Sequence, residues 1–182
     1  GALGDNGAGA EEIEGAKADV LVGTLGKGLG ADGGYVAADK VVIDYLRESA
    51  ATYIYSNSIS PGTAAAGTAA VNLLGKADGK KLIKNLKENI IYFKSLVKKN
   101  GFKMAADSIH PIQPLLIGDP DKTKALVQHL FKKNILVTNI NYPVVAKGND
   151  EIRIQISATH TKSDIDELMN ALKEANKTIQ FC

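Results

Sequence analysis

The sequence contains no tryptophan and only one cysteine, and none of its apolar runs is long. The single cysteine, Cys182, excludes an internal disulfide and indicates a reducing compartment, so we expect a cytoplasmic protein. A membrane-spanning helix needs about 18 consecutive apolar residues, and no segment approaches that length. The chain is therefore expected to be soluble, without a membrane partner.

An excess of one charge is also missing, because 22 basic residues face 20 acidic ones and the net charge is +2. Many lysines lie within residues 78–99, but neither arginines nor aromatic residues alternate with them. We interpret that segment as an amphipathic helix with a solvated face, and we expect no nucleic-acid partner. The three histidines, at positions 110, 129 and 160, lack metal-ligand spacing, and the sequence shows no paired carboxylates and no Ser-His-Asp set. No metal site is predicted.

Glycine, by contrast, is abundant, and four of the 18 glycines fall within residues 22–30, around Lys27. An apolar run at residues 18–22 precedes this loop and predicts a buried strand, and a second run at residues 34–38 predicts the strand that follows. Glycine lets a backbone take positive φ and approach a ligand closely. A mobile surface turn is the alternative interpretation. The loop is not a phosphate-binding Walker A motif, because Leu21 replaces its first glycine and Gly28 follows the lysine. It matches a dinucleotide fingerprint formally, but a strand rather than a helix follows.

Lys27 fits another chemistry better, the Schiff base that a lysine forms with pyridoxal phosphate. The nucleophile in that reaction is a neutral amine with little steric cover. A hydroxyl near the amine is also needed for the cofactor's phosphate, and Thr24 precedes Lys27 by three residues. The loop therefore predicts Lys27 as a catalytic, cofactor-binding residue and Thr24 as a second cofactor ligand.

Three segments, residues 23–30, 33–35 and 55–61, resemble the α-oxoamine synthases. These are fold-type I pyridoxal-phosphate enzymes that condense an amino acid with an acyl-CoA. The resemblance implies that the hydroxyl of Ser56 reaches the cofactor phosphate of the partner subunit, so that a homodimer shares its active sites. It implies a weaker cofactor-binding role for Asn57. Without the resemblance, Ser56 is interpreted as a cap of the helix that follows Pro61.

Arg153 is the second chemical candidate. Strict alternation across residues 151–157 places the isoleucines on one face of a predicted strand and Arg153 on the other. An arginine can hold a carboxylate through two parallel hydrogen bonds, although alternation alone favours an ordinary exposed arginine. Residues 142–145 and 152–161 resemble the family's substrate-carboxylate segment, which implies that Arg153 binds the amino-acid substrate. For His160 the resemblance supports only a structural role.

Within the family, residues 56–58 and 142–148 look most like the glycine C-acetyltransferase branch. That resemblance implies glycine and acetyl-CoA as substrates. The alternatives are the branches that make 8-amino-7-oxononanoate, 5-aminolevulinate or sphingoid bases, a non-catalytic truncated module, and a nucleotide-binding module that uses the glycine loop. The loop is one residue shorter than the family pattern between Lys27 and residues 33–35, and Ala146 stands where proline is usual.

The resemblance covers almost all of this chain but only the last part of a family member, so we expect a fragment that is inactive alone. It predicts an α/β fold, the C-terminal part of a fold-type I enzyme. Residues 1–75 are assigned to the large cofactor-binding domain, 76–100 to a connecting helix and 101–182 to a small α+β domain. Patterning predicts strands at 18–22, 34–38, 53–55, 112–117, 135–140 and 151–157. It predicts helices at 39–47, 62–75, 78–99, 121–133 and 161–177. The last of these begins with a capping arrangement at residues 161–164, and the small side chains of residues 62–75 are expected to permit close packing. Residues 1–17 are predicted as a polar, glycine-rich loop with a short helical turn.

Overall fold

A computed structural model describes residues 1–15 and 17–182, and the chain divides into two compact units, residues 1–83 and 84–182. Ala16, which falls in the polar loop predicted for residues 1–17, lies outside the described residues. Of the helices in the described ranges, none is both long and apolar enough to cross a membrane.

Seven helices and five strands are described. In chain order they are α1 Ala10–Glu14, β1 Val20–Thr24, β2 Gly34–Ala38, α2 Lys40–Ser49, α3 Ala51–Ile54, α4 Pro61–Leu74, α5 Ala77–Lys99, β3 Ile112–Leu116, α6 Pro120–Lys132, β4 Thr138–Ile140, β5 Glu151–Gln155 and α7 Lys162–Ile179. The five long predicted helices are confirmed with small shifts of their ends.

In the first unit, β1 and β2 form an antiparallel hairpin in which Val20 pairs with Ala38 and Thr24 with Gly34. The prediction that the first strand is buried is wrong for this chain. Val20 is 46% exposed and Val22 is 74% exposed. The physical reason is that β2 is the only strand paired with β1 among the described residues, so no packed layer covers the apolar side chains.

Residues 53–55 were predicted as a strand, and this prediction is also wrong. They lie in and just after the short helix α3, where the N–H groups of Tyr53 and Ile54 both donate to the carbonyl of Ala50. The local helical bonds satisfy the backbone without a neighbouring strand, and Tyr55 remains 87% exposed. Aromatic and β-branched residues favour strands only where a sheet offers them packing partners.

The second unit contains a three-stranded antiparallel sheet with the order β3-β5-β4. Alternation along β5 is confirmed, because Ile152 and Ile154 are buried while Arg153 is exposed. The core combines these strand residues with the apolar faces of α6, α7 and residues 84–99 of α5. Its fully buried side chains include Phe93, Leu115, Leu126, Leu130, Ile152 and Leu172.

The strand predicted at 135–140 is shorter than expected, since β4 begins at Thr138. Residues 133–135 form the turn that ends α6 instead. The N–H groups of Lys133 and Ile135 both donate to the carbonyl of Leu130, and Asn134 takes a φ of 60°. A helix terminus of this kind satisfies carbonyls that would otherwise have no partner.

Helix α7 begins with the capping arrangement that the sequence predicted. The Thr161 hydroxyl accepts a hydrogen bond from the Asp164 N–H at 3.2 Å. In return, the Asp164 carboxylate accepts one from the Thr161 N–H at 2.7 Å. This backbone hydrogen bond is the main cause that holds the pKa of Asp164 below its ordinary value of 3.8. The reciprocal pair fixes the start of the helix.

We expect Thr161→Ala to lower the unfolding free energy of the second unit by about 1 kcal/mol, because the helix loses its cap. A carboxyl whose native pKa is lowered stabilises the fold above its unfolded pKa, and that stabilisation is lost as pH falls. Thr161→Ala keeps the backbone N–H that is the main cause of the lowered pKa and removes only the hydroxyl bond to the Asp164 carboxylate. The difference between the wild type and the variant should therefore shrink only in part as pH falls below the ordinary carboxyl pKa of 3.8. Urea unfolding at several pH values measures this, with Ser163→Ala on the same turn as the control. Equal stability of the two variants at neutral pH would contradict the capping role.

Candidate active site

The loop that carries Lys27 is closed by its own backbone. The Leu25 N–H donates to the Gly33 carbonyl at 2.9 Å, and the Ala31 N–H donates to the Leu25 carbonyl at 2.9 Å. A third bond runs from the Gly30 N–H to the Lys27 carbonyl at 3.0 Å. The Lys27 side chain is exposed, and no carboxylate among the described residues forms an ion pair with it. The fold thus exposes the Lys27 amine, without an ion-pair partner among the described residues, on a loop that three backbone hydrogen bonds close.

Thr24 lies at the end of β1, directly before this loop. Its hydroxyl oxygen accepts a hydrogen bond from the Gly26 N–H at 3.2 Å. Its own hydrogen points to the Gly33 carbonyl at 3.5 Å, a distance at the outer limit of a hydrogen bond. Because that second contact is weak, the hydroxyl can donate to an anion placed beside the loop. The amine and the hydroxyl therefore fit a cofactor that carries an aldehyde and a phosphate.

A cleft of about 470 Å³ adjoins the loop within the first unit. All of its lining residues except Asp32 and Thr63 are glycine or alanine. The lining residues are Gly26, Gly30, Ala31, Asp32, Gly62, Thr63 and Ala66. Sequence reasoning did not assign this cleft. The only sequence signal for it was the run of small residues after Pro61, which was interpreted as a surface for close packing.

Ser56 and Asn57 lie in an exposed turn between α3 and α4. Neither residue lines the cleft, and no hydrogen bond among the described residues engages either side chain. The cap of α4 is a different residue, since the Ser60 hydroxyl accepts the Thr63 N–H at 3.2 Å. The capping role considered for Ser56 is therefore wrong. Its exposed hydroxyl is available to another group.

Arg153 belongs to the second unit, at the middle of β5. It pairs with Pro114 of β3 on one side and with Thr138 of β4 on the other. In the part of the chain that is described, no carboxylate neutralises its guanidinium. Glu151 lies on the same strand face, and burial raises the pKa of its carboxyl. The arrangement offers an unpaired cation in a rigid strand, which suits bidentate binding of a carboxylate.

His160 holds the turn that follows β5. Its Nδ1 accepts a hydrogen bond from the Ser157 N–H at 3.1 Å. Asn89, on α5, is buried and donates to the carbonyls of Ser157 at 3.1 Å and His160 at 2.7 Å. These contacts hold His160 in the turn, which is a structural role. Among the described residues, no group of three or more His, Cys, Asp or Glu side chains could hold a metal ion.

Comparison with known proteins places these residues in a family context. The model of the family described as "Aminotransferase class I and II" matches residues 2–172. The chain is 37% identical over 186 residues to 8-amino-7-oxononanoate synthase of Petrotoga mobilis, and this alignment covers 98% of this chain and 45% of that protein. It is 34% identical over 186 residues to serine palmitoyltransferase 2 of Dictyostelium discoideum, covering 98% of this chain and 38% of that protein.

Solved structures show the same fold. A serine palmitoyltransferase carrying pyridoxal phosphate as its internal aldimine superposes with a TM-score of 0.91, at 23% identity, over 99% of this chain and 46% of that one. The 8-amino-7-oxononanoate synthase of Francisella tularensis gives 0.83 at 23% identity, over 98% and 52%. The expected α/β fold of a partial fold-type I enzyme is confirmed, as is pyridoxal phosphate as the cofactor of the family.

The chain spans about half the length of the curated relatives that it matches, 45% of one and 46% of another. The relatives named above belong to the 8-amino-7-oxononanoate and sphingoid-base branches, which the sequence left as alternatives. They support the α-oxoamine synthase resemblance as a whole and do not support the narrower assignment to glycine C-acetyltransferase.

Proposed function

Because the chain belongs to the aminotransferase class I and II family, we propose that it is the C-terminal part of an α-oxoamine synthase. Such an enzyme is a pyridoxal-phosphate-dependent acyltransferase that condenses an amino acid with an acyl-CoA. The observation that carries the proposal is the exposed Lys27, which has no ion-pair partner among the described residues and lies on a glycine loop closed by backbone hydrogen bonds, with the Thr24 hydroxyl three residues before it. The relatives' names point to the same reaction class.

Each candidate residue has a distinct role in this proposal. Lys27 is the point of attachment for the cofactor aldehyde, and the Thr24 hydroxyl donates a hydrogen bond to the cofactor phosphate. In a homodimer, the Ser56 hydroxyl contacts the cofactor phosphate bound in the partner subunit, and Asn57 supports that contact. When bound, pyridoxal phosphate withdraws electrons from the amino acid's α-carbon. Lys27 Nζ then accepts the α-proton as a general base.

Arg153 orients the amino acid. Its two guanidinium N–H groups bind the substrate carboxylate in parallel, which fixes the direction of the α-carbon as well as the charge. We assign residues 1–75 to the cofactor-binding domain, 76–100 to the connecting helix and 101–182 to the small domain that carries Arg153. A cytoplasmic homodimer is part of the same proposal.

The narrower activity is proposed from the relatives. The name 8-amino-7-oxononanoate describes a nine-carbon chain that ends in an amino ketone. Alanine and a seven-carbon dicarboxylic acyl-CoA supply those carbons, with loss of the alanine carboxyl group as CO₂. A second candidate is the condensation of glycine with acetyl-CoA, which residues 56–58 and 142–148 favour.

A substrate panel tests the proposal on the enzyme that contains these residues. Glycine and alanine are each combined with acetyl-CoA and with pimeloyl-CoA, and release of CoA is followed. The proposal expects CoA release that depends on both an amino acid and added pyridoxal phosphate. Preference for alanine and pimeloyl-CoA selects the first candidate, and preference for glycine and acetyl-CoA selects the second. Release that needs no amino acid would contradict the proposed function.

A further inference from the structure

Residues 1–9 form a closed loop directly before α1. The Gly1 nitrogen donates to the Gly7 carbonyl at 2.8 Å, and the Gly9 N–H donates to the Leu3 carbonyl at 3.1 Å. This loop has no part in the roles proposed for Lys27 and Arg153. Its own centre is a charged side chain from α1.

The Glu12 carboxylate holds the loop together through three hydrogen bonds. Oε1 accepts the Asn6 N–H at 2.9 Å, and Oε2 accepts the Ala8 N–H at 3.0 Å. The Asn6 side-chain amide also donates to Oε1, at 2.9 Å. These bonds, with that from Ala8 as the largest cause, hold the pKa of Glu12 below its ordinary value of 4.5. The loop therefore favours the ionised carboxylate.

Two glycines let the loop close tightly around this carboxylate. Gly4 has a φ of 82°, and a Cβ added there would overlap the Glu12 side chain. Gly7 is buried with a φ of 71°, and a Cβ added there would lie 3.1 Å from the Ile83 side chain. Glycine takes positive φ without steric cost. The chain from residue 4 to residue 8 is therefore fitted to the Glu12 side chain.

The closed loop packs against the residue that follows Lys27. A Cβ added at Gly28 would lie 3.9 Å from the Cα of Gly1 and 4.0 Å from the nitrogen of Ala2. A Cβ added at Gly1 would lie 3.5 Å from the Gly28 carbonyl carbon and 3.5 Å from the Leu29 side chain. The two backbones are thus in van der Waals contact.

The tip of the Lys27 loop has few bonds of its own. The N–H groups of Gly28 and Leu29 have no acceptor among the described residues. A glycine-rich tip has wide conformational freedom unless another segment restricts it. The contact with Gly1 and Ala2 supplies that restriction, one residue after Lys27.

We propose that Glu12 is a positioning residue for Lys27. By closing the loop around its carboxylate, Glu12 places Gly1 against Gly28 and so limits the positions open to the Lys27 amine. Such placement matters for a reacting group, because a misplacement of about 1 Å can cost about a hundredfold in rate. Glu12 acts only through the loop and touches neither cofactor nor substrate. The inference deepens the proposed function and rests on it, since the role of Lys27 comes from there.

The first test measures attachment of pyridoxal phosphate to Lys27 in the 182-residue chain. The cofactor is titrated into wild type and Glu12→Gln, the adducts are reduced with borohydride, and the peptides are analysed by mass spectrometry. Glutamine keeps the size of the side chain but loses the charge and one acceptor oxygen. The concentration at half-labelling of Lys27 should therefore rise about tenfold.

Glu48→Gln is the matched control. It removes an exposed carboxylate of α2 whose side chain has no hydrogen bond or ion pair among the described residues, so half-labelling should stay within about twofold of wild type. Thermal unfolding of each variant separates a structural role from a positioning role. A lower unfolding temperature for Glu12→Gln, with unchanged half-labelling of Lys27 in the folded protein, would overturn the proposal.

Hydrogen exchange reports on the loop without any cofactor. The Gly30 N–H donates to the Lys27 carbonyl at 3.0 Å, and in Glu12→Gln this amide should exchange about threefold faster or more. The amide of Gly67, within α4, should keep its wild-type rate. Unchanged exchange at Gly30 would overturn the proposal.

Asn6→Asp provides a second variant if Glu12→Gln does not fold. It replaces the side-chain donor to Glu12 Oε1 by a second carboxylate of similar size, and like charges repel. Half-labelling of Lys27 and exchange at Gly30 should move in the same direction as in Glu12→Gln. Wild-type values for both measurements in Asn6→Asp would contradict the proposal.

The positioning role and the proposed function fail separately. Faster Gly30 exchange in Glu12→Gln, with no adduct on Lys27 in the wild type, would retain Glu12 as the residue that positions Lys27 and reject the cofactor role of that lysine. An adduct on Lys27 that forms equally well in wild type, Glu12→Gln and Asn6→Asp would retain the proposed function and reject the positioning role.

Discussion

In the enzyme that contains these residues, replacing Lys27 by alanine is expected to lower the rate of CoA release by about a thousandfold or more, since general-base catalysis alone contributes about 10²–10⁴. The variant loses the amine that attaches the cofactor and also the base that takes the α-proton. The exposed position of Lys27 and its lack of an ion pair among the described residues predict little change in stability. The measurement is the steady-state rate together with a thermal unfolding curve.

The control is Lys76→Ala, which removes another exposed lysine of the same unit. Its rate should match that of the wild type. A Lys27→Ala variant that stays folded and keeps its full rate would show that Lys27 is an ordinary surface lysine of a glycine-rich turn.

The second large effect is expected at Arg153. Arg153→Lys keeps the positive charge but loses the planar pair of donors, so one hydrogen bond to the substrate carboxylate disappears. A hydrogen bond to a charged group contributes about 1.5–3 kcal/mol, and the amino-acid concentration at half-saturation should therefore rise about tenfold or more. The rate at saturating amino acid should change much less, because the proton-accepting amine is untouched.

Arg47 is the only other arginine in the sequence and gives a matched control. Arg47→Lys, on helix α2, should leave half-saturation unchanged. If Arg153→Lys and the wild type saturate at the same amino-acid concentration, Arg153 does not bind the substrate.

Local patterns were enough to predict much of this fold. The alternation around Arg153 specified both the strand and its buried face, because only a period of two places Ile152 and Ile154 on one side. The Thr161–Asp164 pair specified the start of α7 because its two hydrogen bonds lie within one turn. At the site, Lys27 and Thr24 could be named because their loop is continuous in sequence.

The errors arose where structure depends on groups distant in sequence. The apolar residues Val20 and Val22 resemble a buried strand, but burial requires neighbours that composition cannot supply. Tyr53 looks extended by propensity, and a single helical turn satisfies its backbone instead. The cleft was missed because its two walls, residues 26–32 and 62–66, meet only after α4 packs on Leu25.

Chemical fixation shows which lysine binds the cofactor, and we expect it to be Lys27. The protein is purified with a near-stoichiometric amount of pyridoxal phosphate, reduced with borohydride and digested, and the peptides are weighed by mass spectrometry. We expect the pyridoxyl group on Lys27 before it is found on other exposed lysines such as Lys40 and Lys76. Labelling of Lys27 no faster than that of Lys40 and Lys76, or exclusive labelling elsewhere, would contradict it.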